Sequence, residues 1–229
     1  MSEITNSELL SLDANRRQLY SFLSIVFNGP LSMETLKHWK ENLSSEFFSA
    51  VAEDNENLQI FFDELENKEL EAIFNREKEA YLATFDLFNP QGKIPAPPWE
   101  SVYVTSDRAL FGDPVIHIRQ KLHQFGLRFI KENSEPEDHI AIELEFMAFL
   151  INHTSDAAKS NNKFEFERGI YNQYWLLKEH LTKWIDPFAK DIHSSETTTF
   201  YKGIAELLAL FVAEDFEYIK SLKEELENE

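Results

Sequence analysis

Apolar residues recur along most of the chain at steps of three, four and seven positions. This spacing places their side chains on one face of an α-helix. The first such stripe consists of Leu9, Leu12, Leu19, Leu23 and Val26. It stops before Gly29-Pro30, a pair that is typical of a helix end. No alternating or β-branched run of strand length interrupts the stripes, so the pattern predicts an all-α fold.

Further stripes predict helices along the rest of the chain. They lie within 36–51, 58–65, 73–88, 115–129, 140–151, 164–181 and 200–219. Asp113-Pro114 and Ser134-Glu135-Pro136 resemble helix starts with a proline in the first turn. Asp186-Pro187, in contrast, predicts a break between two helices. These signals indicate a compact bundle of roughly nine helices.

One segment departs from the helical pattern. Residues 89–100 contain four prolines and a glycine, and a helix cannot run through them because proline lacks an N–H and fixes φ. Loops of this length in compact domains tend to be functional or disordered. The apolar residues Ile94, Trp99, Val102 and Tyr103 in and after the segment favour an ordered loop.

Composition and charge exclude several classes of protein. The 229 residues carry a formal charge of −19 and include no cysteine. The absence of cysteine excludes disulfide scaffolds, iron–sulfur clusters and thiolate zinc sites. The acidity argues against nucleic acids and anionic membrane surfaces, which both require a basic footprint. We expect a single domain over 1–229, with two lobes and a hinge near 126–136 as the alternative.

Two adjacent arginines raise the question of an export signal within this chain. Arg16 and Arg17 precede the weakly charged stretch 19–30, which is too short to span a bilayer. Acidic residues lie before the arginines and no small-residue cleavage site follows, whereas export signals have a basic start. We therefore expect a first amphipathic helix with two surface arginines, no membrane insertion, and a protein that stays in the cytoplasm.

The sequence offers no recognisable catalytic machinery. Its six scattered glycines form no phosphate-binding loop, and neither G-x-S-x-G nor H-E-x-x-H occurs. His139 and Glu143 share a predicted helix face with Glu135 nearby, which would bind a metal only weakly, since dedicated sites recruit more ligands and a supporting shell. We predict no catalytic residue, no cofactor and no metal site, and therefore no enzyme.

The most informative segment is Glu135-Pro136-Glu137-Asp138-His139. Pro136 is expected to preset the first turn of a helix, where free N–H groups and the helix dipole stabilise the anions Glu137 and Asp138. His139 would follow at the edge of that turn. Acids in a first turn are ordinary complements of the helix dipole, and a single histidine there is usually solvated or capping. Spacing alone therefore does not assign a function.

The same segment resembles the E-P-x-D-H motif of the TorD/DmsD family of redox-enzyme maturation chaperones. Three further segments resemble this family in the same order, its DmsD branch in particular. They are Pro97-Pro98-Trp99-Glu100-Ser101-Val102-Tyr103, Phe111-Gly112-Asp113, and the carboxy-terminal group of His180-Leu181, Trp184, Pro187-Phe188, Phe200-Tyr201 and Leu207. Together they span about residues 81–211. Glu100 departs from the branch, where a small residue can occur.

This resemblance implies a cytoplasmic, all-helical chaperone without catalysis. Such proteins bind the twin-arginine signal peptide and the folded core of a molybdopterin reductase, and they delay its export until the cofactor is inserted. The DmsD-like loop points first to a client of the dimethyl sulfoxide reductase type, with a trimethylamine N-oxide reductase as the alternative. Some relatives exchange lobes, so the resemblance allows a monomer or a domain-swapped dimer.

Physical chemistry is compatible with this interpretation. A guanidinium pair prefers carboxylates, and an acidic protein raises the encounter rate with a basic peptide. The candidate signal-peptide residues are Asp138 as first arginine contact, His139 beside it, Trp99 and Tyr103 as an apolar wall next to the Pro136 turn, and Glu137 and Glu100 as weaker candidates. Trp99 could equally be a plain loop anchor. A non-catalytic helical adaptor for another partner and a carboxylate–metal enzyme remain the alternative functions.

Overall fold

The structure, a computed structural model, describes residues 6–106, 108–132 and 135–228. These residues form eleven α-helices and no strand, which confirms the all-α prediction. The helices are α1 (Asn6–Phe27), α2 (Met33–Asn42), α3 (Glu46–Ala52), α4 (Glu56–Asn67), α5 (Leu70–Tyr81), α6 (Glu100–Val104), α7 (Asp113–Gln124), α8 (Ile140–Lys159), α9 (Lys163–Leu176), α10 (Thr182–Ser194) and α11 (Thr199–Glu227). Two π-helical segments, Leu82–Asp86 and Leu177–Leu181, extend α5 and connect α9 to α10.

The chain divides into two compact units. The first comprises Met1–Asn28, Trp99–Trp184 and Val212–Glu229, and the second comprises Gly29–Pro98 and Ile185–Phe211. The segment 126–136, where the sequence suggested a hinge, lies inside the first unit. The motif of residues 135–139 also belongs to the first unit. No helix of the described residues is long and apolar enough to cross a bilayer.

In the first unit, α8 packs against both α1 and α9. The approach of α9 to α8 requires a glycine, because a Cβ at Gly169 would lie 2.1 Å from the Thr154 Oγ1 atom. That hydroxyl donates to the Leu150 carbonyl and accepts a hydrogen bond from Gln173 of α9. A fully buried hydrogen bond between side chains therefore stabilises this close helix contact.

Arg16 of α1 is buried in an ionic cluster rather than exposed. Its guanidinium contacts Asp215 Oδ1 at 2.5 Å, Asp13 Oδ1 at 2.8 Å and Gln173 Oε1 at 2.8 Å. Asp215 also accepts a hydrogen bond from the Tyr20 hydroxyl at 2.7 Å. The prediction of two surface arginines is thus wrong for Arg16, because its charge is balanced by carboxylates that are far away in sequence.

The second unit has an aromatic core. Phe61 of α4 lies against Phe200 of α11, with their ring centroids 4.3 Å apart. Phe85, in the first π-helical segment, contacts Tyr201 edge-on at 5.4 Å. Thr84, in the same segment, accepts the Ala96 N–H through its carbonyl at 2.9 Å. This contact fastens the proline-rich stretch, which contains no helix between residues 87 and 99, as predicted.

The predicted break at Asp186-Pro187 is wrong, because Pro187 lies inside α10. A proline within a helix costs about 3 kcal/mol through the missing N–H and a steric clash. The helix compensates by burying five apolar side chains, namely Trp184, Ile185, Phe188, Ala189 and Ile192. Each large apolar side chain contributes about 1.5–3 kcal/mol on burial, so this face outweighs the proline.

Candidate functional site

The motif of residues 135–139 precedes α8 instead of forming its first turn. The helix begins at Ile140, and His139 is its N-cap, whose Nδ1 accepts the Ala141 N–H at 3.1 Å. The expectation that Glu137 and Asp138 lie in the first helical turn is therefore wrong. Both carboxylates instead bind groups from other elements, which holds this stretch outside the helix. Ser134, part of the predicted start, lies outside the described residues.

Asp138 binds the start of α6 from a distance of 37 residues in sequence. Its Oδ2 accepts the Ser101 N–H at 2.8 Å and also the Ser101 hydroxyl. Its carbonyl accepts the Glu100 N–H at 3.0 Å. The side chain is fully buried, and its Oδ1 has no hydrogen-bond donor among the described residues. Burial raises the pKa of Asp138, and the two bonds from Ser101 oppose that shift.

The proline-rich loop returns to the motif at Trp99. The backbones of Trp99 and His139 form an isolated antiparallel bridge, and their rings meet edge-on with centroids 5.5 Å apart. Tyr103, one turn into α6, stacks on the Trp184 ring at 5.5 Å. The structure therefore brings Trp99, His139 and Asp138 together. Because Asp138 is buried, a peptide would reach it only if residues 99–105 moved.

Glu137 connects the motif to α7. Its two oxygens accept hydrogen bonds from Arg119 Nε at 2.7 Å and Nη2 at 2.9 Å. Glu137 is fully buried, and Pro136 before it is also buried. A two-point guanidinium–carboxylate pair is both strong and directional. It orients the turn that leads into α8.

A second buried cluster, which the sequence did not predict, joins Glu100 of α6 to Glu143 of α8 and to His180. Glu100 Oε2 is 2.6 Å from His180 Nδ1 in the second π-helical segment. Glu143 of α8 accepts the indole N–H of Trp184 at 3.2 Å. Burial, together with the charges of Glu100 and Asp138, raises the pKa of Glu143 well above its usual range. No local spacing signals this cluster, since Glu100 and His180 are 80 residues apart.

A cavity of about 520 Å³, lined by apolar and charged side chains, opens beside the motif. It is lined by Asn28, Leu122, Leu127, Arg128, Phe129, Ile130, Lys131, Glu135, Ile142, Glu145, Phe146 and Phe149. We call it the motif groove, because Glu135 is also the first residue of the motif. Gly126, with φ of +72°, ends α7 and turns the chain so that Leu127 donates to the Leu122 carbonyl. The next residues, 127–131, form one wall of the groove.

Charged residues surround the mouth of the motif groove. Glu135 pairs with Lys131 at 2.7 Å. Glu145 is exposed and has no ion pair among the residues that the structure describes. Arg128, which carries the opposite charge, is also exposed. Ile130 lines the same groove with 99% of its surface exposed, so a large apolar side chain faces solvent there.

The capping role of His139 gives a pH-dependent stability. Burial lowers the pKa of His139 to about 4, below the 6.5 of an unfolded histidine. Near pH 5 this histidine therefore binds more protons in the unfolded chain than in the folded one. The stability that it contributes falls as the pH drops from 6.5 towards 4. We expect this group to remove roughly 1–2 kcal/mol of the free energy of unfolding between pH 7 and pH 5.

Urea unfolding of the wild-type protein and of His139→Asn at both pH values measures this loss. Asparagine is a good N-cap that does not titrate, so the variant should lose less stability on acidification. The raised pKa values of Asp138 and Glu143 act in the opposite direction, but they are common to both proteins and cancel in the comparison. Equal losses in the two proteins would contradict the capping role.

The chain is similar to known proteins over most of its length. The family model described as nitrate reductase delta subunit matches residues 45–190. The chaperone protein TorD of Aliivibrio fischeri is 30% identical over 217 residues, covering 93% of this chain and 98% of that protein. The chaperone protein TorD of Vibrio atlanticus is 26% identical over 211 residues, covering 91% and 96%.

A solved structure shares the fold. It is assigned as a redox enzyme maturation protein of Archaeoglobus fulgidus, with a TM-score of 0.50. The match covers 86% of this chain and 93% of the other, at 20% sequence identity. At that identity the likeness concerns the arrangement of the helices alone.

Proposed function

The chain belongs to the TorD family of redox-enzyme maturation chaperones, whose model is that of the nitrate reductase delta subunit, and from this premise we propose that it binds a twin-arginine signal peptide. The peptide would belong to a molybdopterin reductase of the dimethyl sulfoxide or trimethylamine N-oxide type. The chaperone would bind that enzyme before cofactor insertion, in the cytoplasm, and delay its export. It would also contact the folded core of the enzyme.

The observation that carries this proposal is the motif groove. A twin-arginine leader consists of two guanidinium groups followed by an apolar stretch, and the groove offers apolar walls with carboxylates at its mouth. Its volume of about 520 Å³ accommodates several apolar side chains of a peptide. The net charge of −19 further attracts a basic peptide. The groove therefore complements both parts of such a leader.

We assign the arginine contacts at the mouth to Glu145 and Glu135. Glu145 needs no rearrangement, since it is exposed and forms no ion pair with any residue that the structure describes. Glu135 would exchange Lys131 for an arginine, which can form two parallel hydrogen bonds with a carboxylate. The contacts predicted for Asp138, His139, Trp99, Tyr103, Pro136, Glu137 and Glu100 stay predictions. None of these seven residues lines the motif groove.

The test is a binding titration with a labelled leader peptide. A peptide with paired arginines should bind at least tenfold more tightly than the same peptide with paired lysines, because lysine cannot form the two-point contact. Glu145→Gln should weaken binding of the arginine peptide several-fold and weaken binding of the lysine peptide less. The control is Glu214→Gln, which removes the same charge from an exposed acid on a different helix, α11. Equal affinities for both peptides would refute the proposed function.

Two further arms of this titration refine the site and the client. Asp138→Ala separates two roles, because normal affinity in a folded variant would leave Asp138 as the partner of α6 only. Capture from the native host with mass spectrometry then identifies the enzyme that carries the leader. Recovery of a protein without a twin-arginine leader would instead favour the alternative, a helical adaptor for another partner.

A further inference from the structure

The buried cluster of Glu100, Asp138, Glu143 and His180 contains more carboxyl groups than its protein partners balance. Glu100, Asp138 and Glu143 are each at most 1% exposed, and His180 is the one ionisable base that pairs with them among the described residues. No described lysine or arginine forms an ion pair with any of the three carboxylates. Burying uncompensated charge is costly, so such a cluster recruits either protons or a cation.

The geometry of the cluster is that of a ligand set. One ligand atom each from Glu100, Glu143 and His180 lies within 4.8 Å of the others. The three residues come from α6, α8 and the second π-helical segment. Glu143 Oε1 is buried and has no hydrogen-bond donor among the described residues. An acceptor oxygen without a donor, inside a set of converging ligands, points to a missing positive partner.

We propose that Glu100, Glu143 and His180 bind one divalent transition-metal cation of the zinc type. Two carboxylates and an imidazole are oxygen and nitrogen ligands that suit such ions. The site is structural, because it would join three elements of the first unit. The sequence predicted no metal site, because only His139, Glu143 and Glu135 were expected near one another.

The surroundings support the cluster as a metal site. The Trp184 indole N–H holds Glu143 Oε2, and Asp138 adds a further negative charge, as outer partners of metal ligands commonly do. His180 also lines a separate cavity of about 290 Å³ together with His117 and Glu179. This cavity borders one of the three proposed ligands, His180.

Calorimetric titration of the EDTA-treated, dialysed chain with zinc chloride tests the proposal. We expect saturable binding of one ion per chain and a higher melting temperature with zinc. Glu143→Gln and His180→Gln should each weaken binding at least tenfold. The matched controls are Glu214→Gln, an exposed acid on α11, and His123→Gln, an exposed histidine on α7. Both controls should bind zinc as the wild-type protein does.

A second measurement needs no variant. The indole N–H resonance of Trp184 should shift on zinc addition, because its acceptor Glu143 becomes a ligand, while the resonance of Trp39, which packs against Phe48 and Phe200, stays in place. Absence of saturable binding, or binding that only the control substitutions abolish, would overturn the proposal. In that case protonation of Glu143 balances the cluster. The leader-peptide titration is independent of this result.

Discussion

Replacement of Arg16 by methionine should lower the free energy of unfolding by about 3–5 kcal/mol. The guanidinium is 4% exposed and binds Asp13, Asp215 and Gln173. Its removal leaves two carboxylates buried without their cation, which is more costly than the loss of the ion pair itself. Chemical denaturation followed by circular dichroism measures the effect.

The adjacent arginine provides a matched control. Arg17 is exposed and donates one hydrogen bond to Asn152 at 2.8 Å. Arg17→Met should therefore change the free energy of unfolding by less than about 0.5 kcal/mol. Similar losses in both variants would show that Arg16 does not hold the cluster. The comparison also shows that the arginine pair of α1 contains one structural and one surface residue.

Replacement of Ile130 by aspartate should weaken binding of a twin-arginine leader by about 10- to 100-fold. Ile130 is 99% exposed in the free protein and stands at the mouth of the motif groove. A bound apolar stretch would cover it, so the variant loses the burial of one large apolar side chain and places a charge against the peptide. Peptide titration measures the loss.

Stability should hardly change in this variant, because an exposed side chain contributes little to folding. Ile116→Asp is the matched control, since Ile116 is 50% exposed on α7 and does not line the groove. The control should bind the leader as the wild-type protein does. Equal loss in both variants would indicate a general charge effect, and unchanged affinity in Ile130→Asp would exclude the groove as the peptide site.

The helices and the family were predictable because their signals are local. The stripe of residues 9–26 predicted α1, and the prolines of 89–100 predicted a stretch without helix. Comparison with known proteins confirms the family that the motif of residues 135–139 indicated. Errors arose where tertiary contacts outweighed local preference. Pro187 lies within α10, whose buried apolar face offsets the cost of the proline.

The sequence indicated three residues that lie close together in the structure, but not their contacts and not the motif groove. The sequence singled out Trp99, Asp138 and His139, and the structure brings them together. It could not indicate that Asp138 would be buried against Ser101. Burial depends on which distant elements cover a side chain, and spacing along one helix carries no such information.

By itself, the sequence determined the helical content, the strong acidity and the motif before α8, because periodicity, charge and short motifs are properties of neighbouring residues. Only the tertiary structure decided which charges are buried and with what partners. Arg16 meets Asp215 across 199 positions, and Glu100 meets His180 across 80. Such pairs form because desolvated charges require a counter-charge, and the packing of helices from separate parts of the chain supplies it.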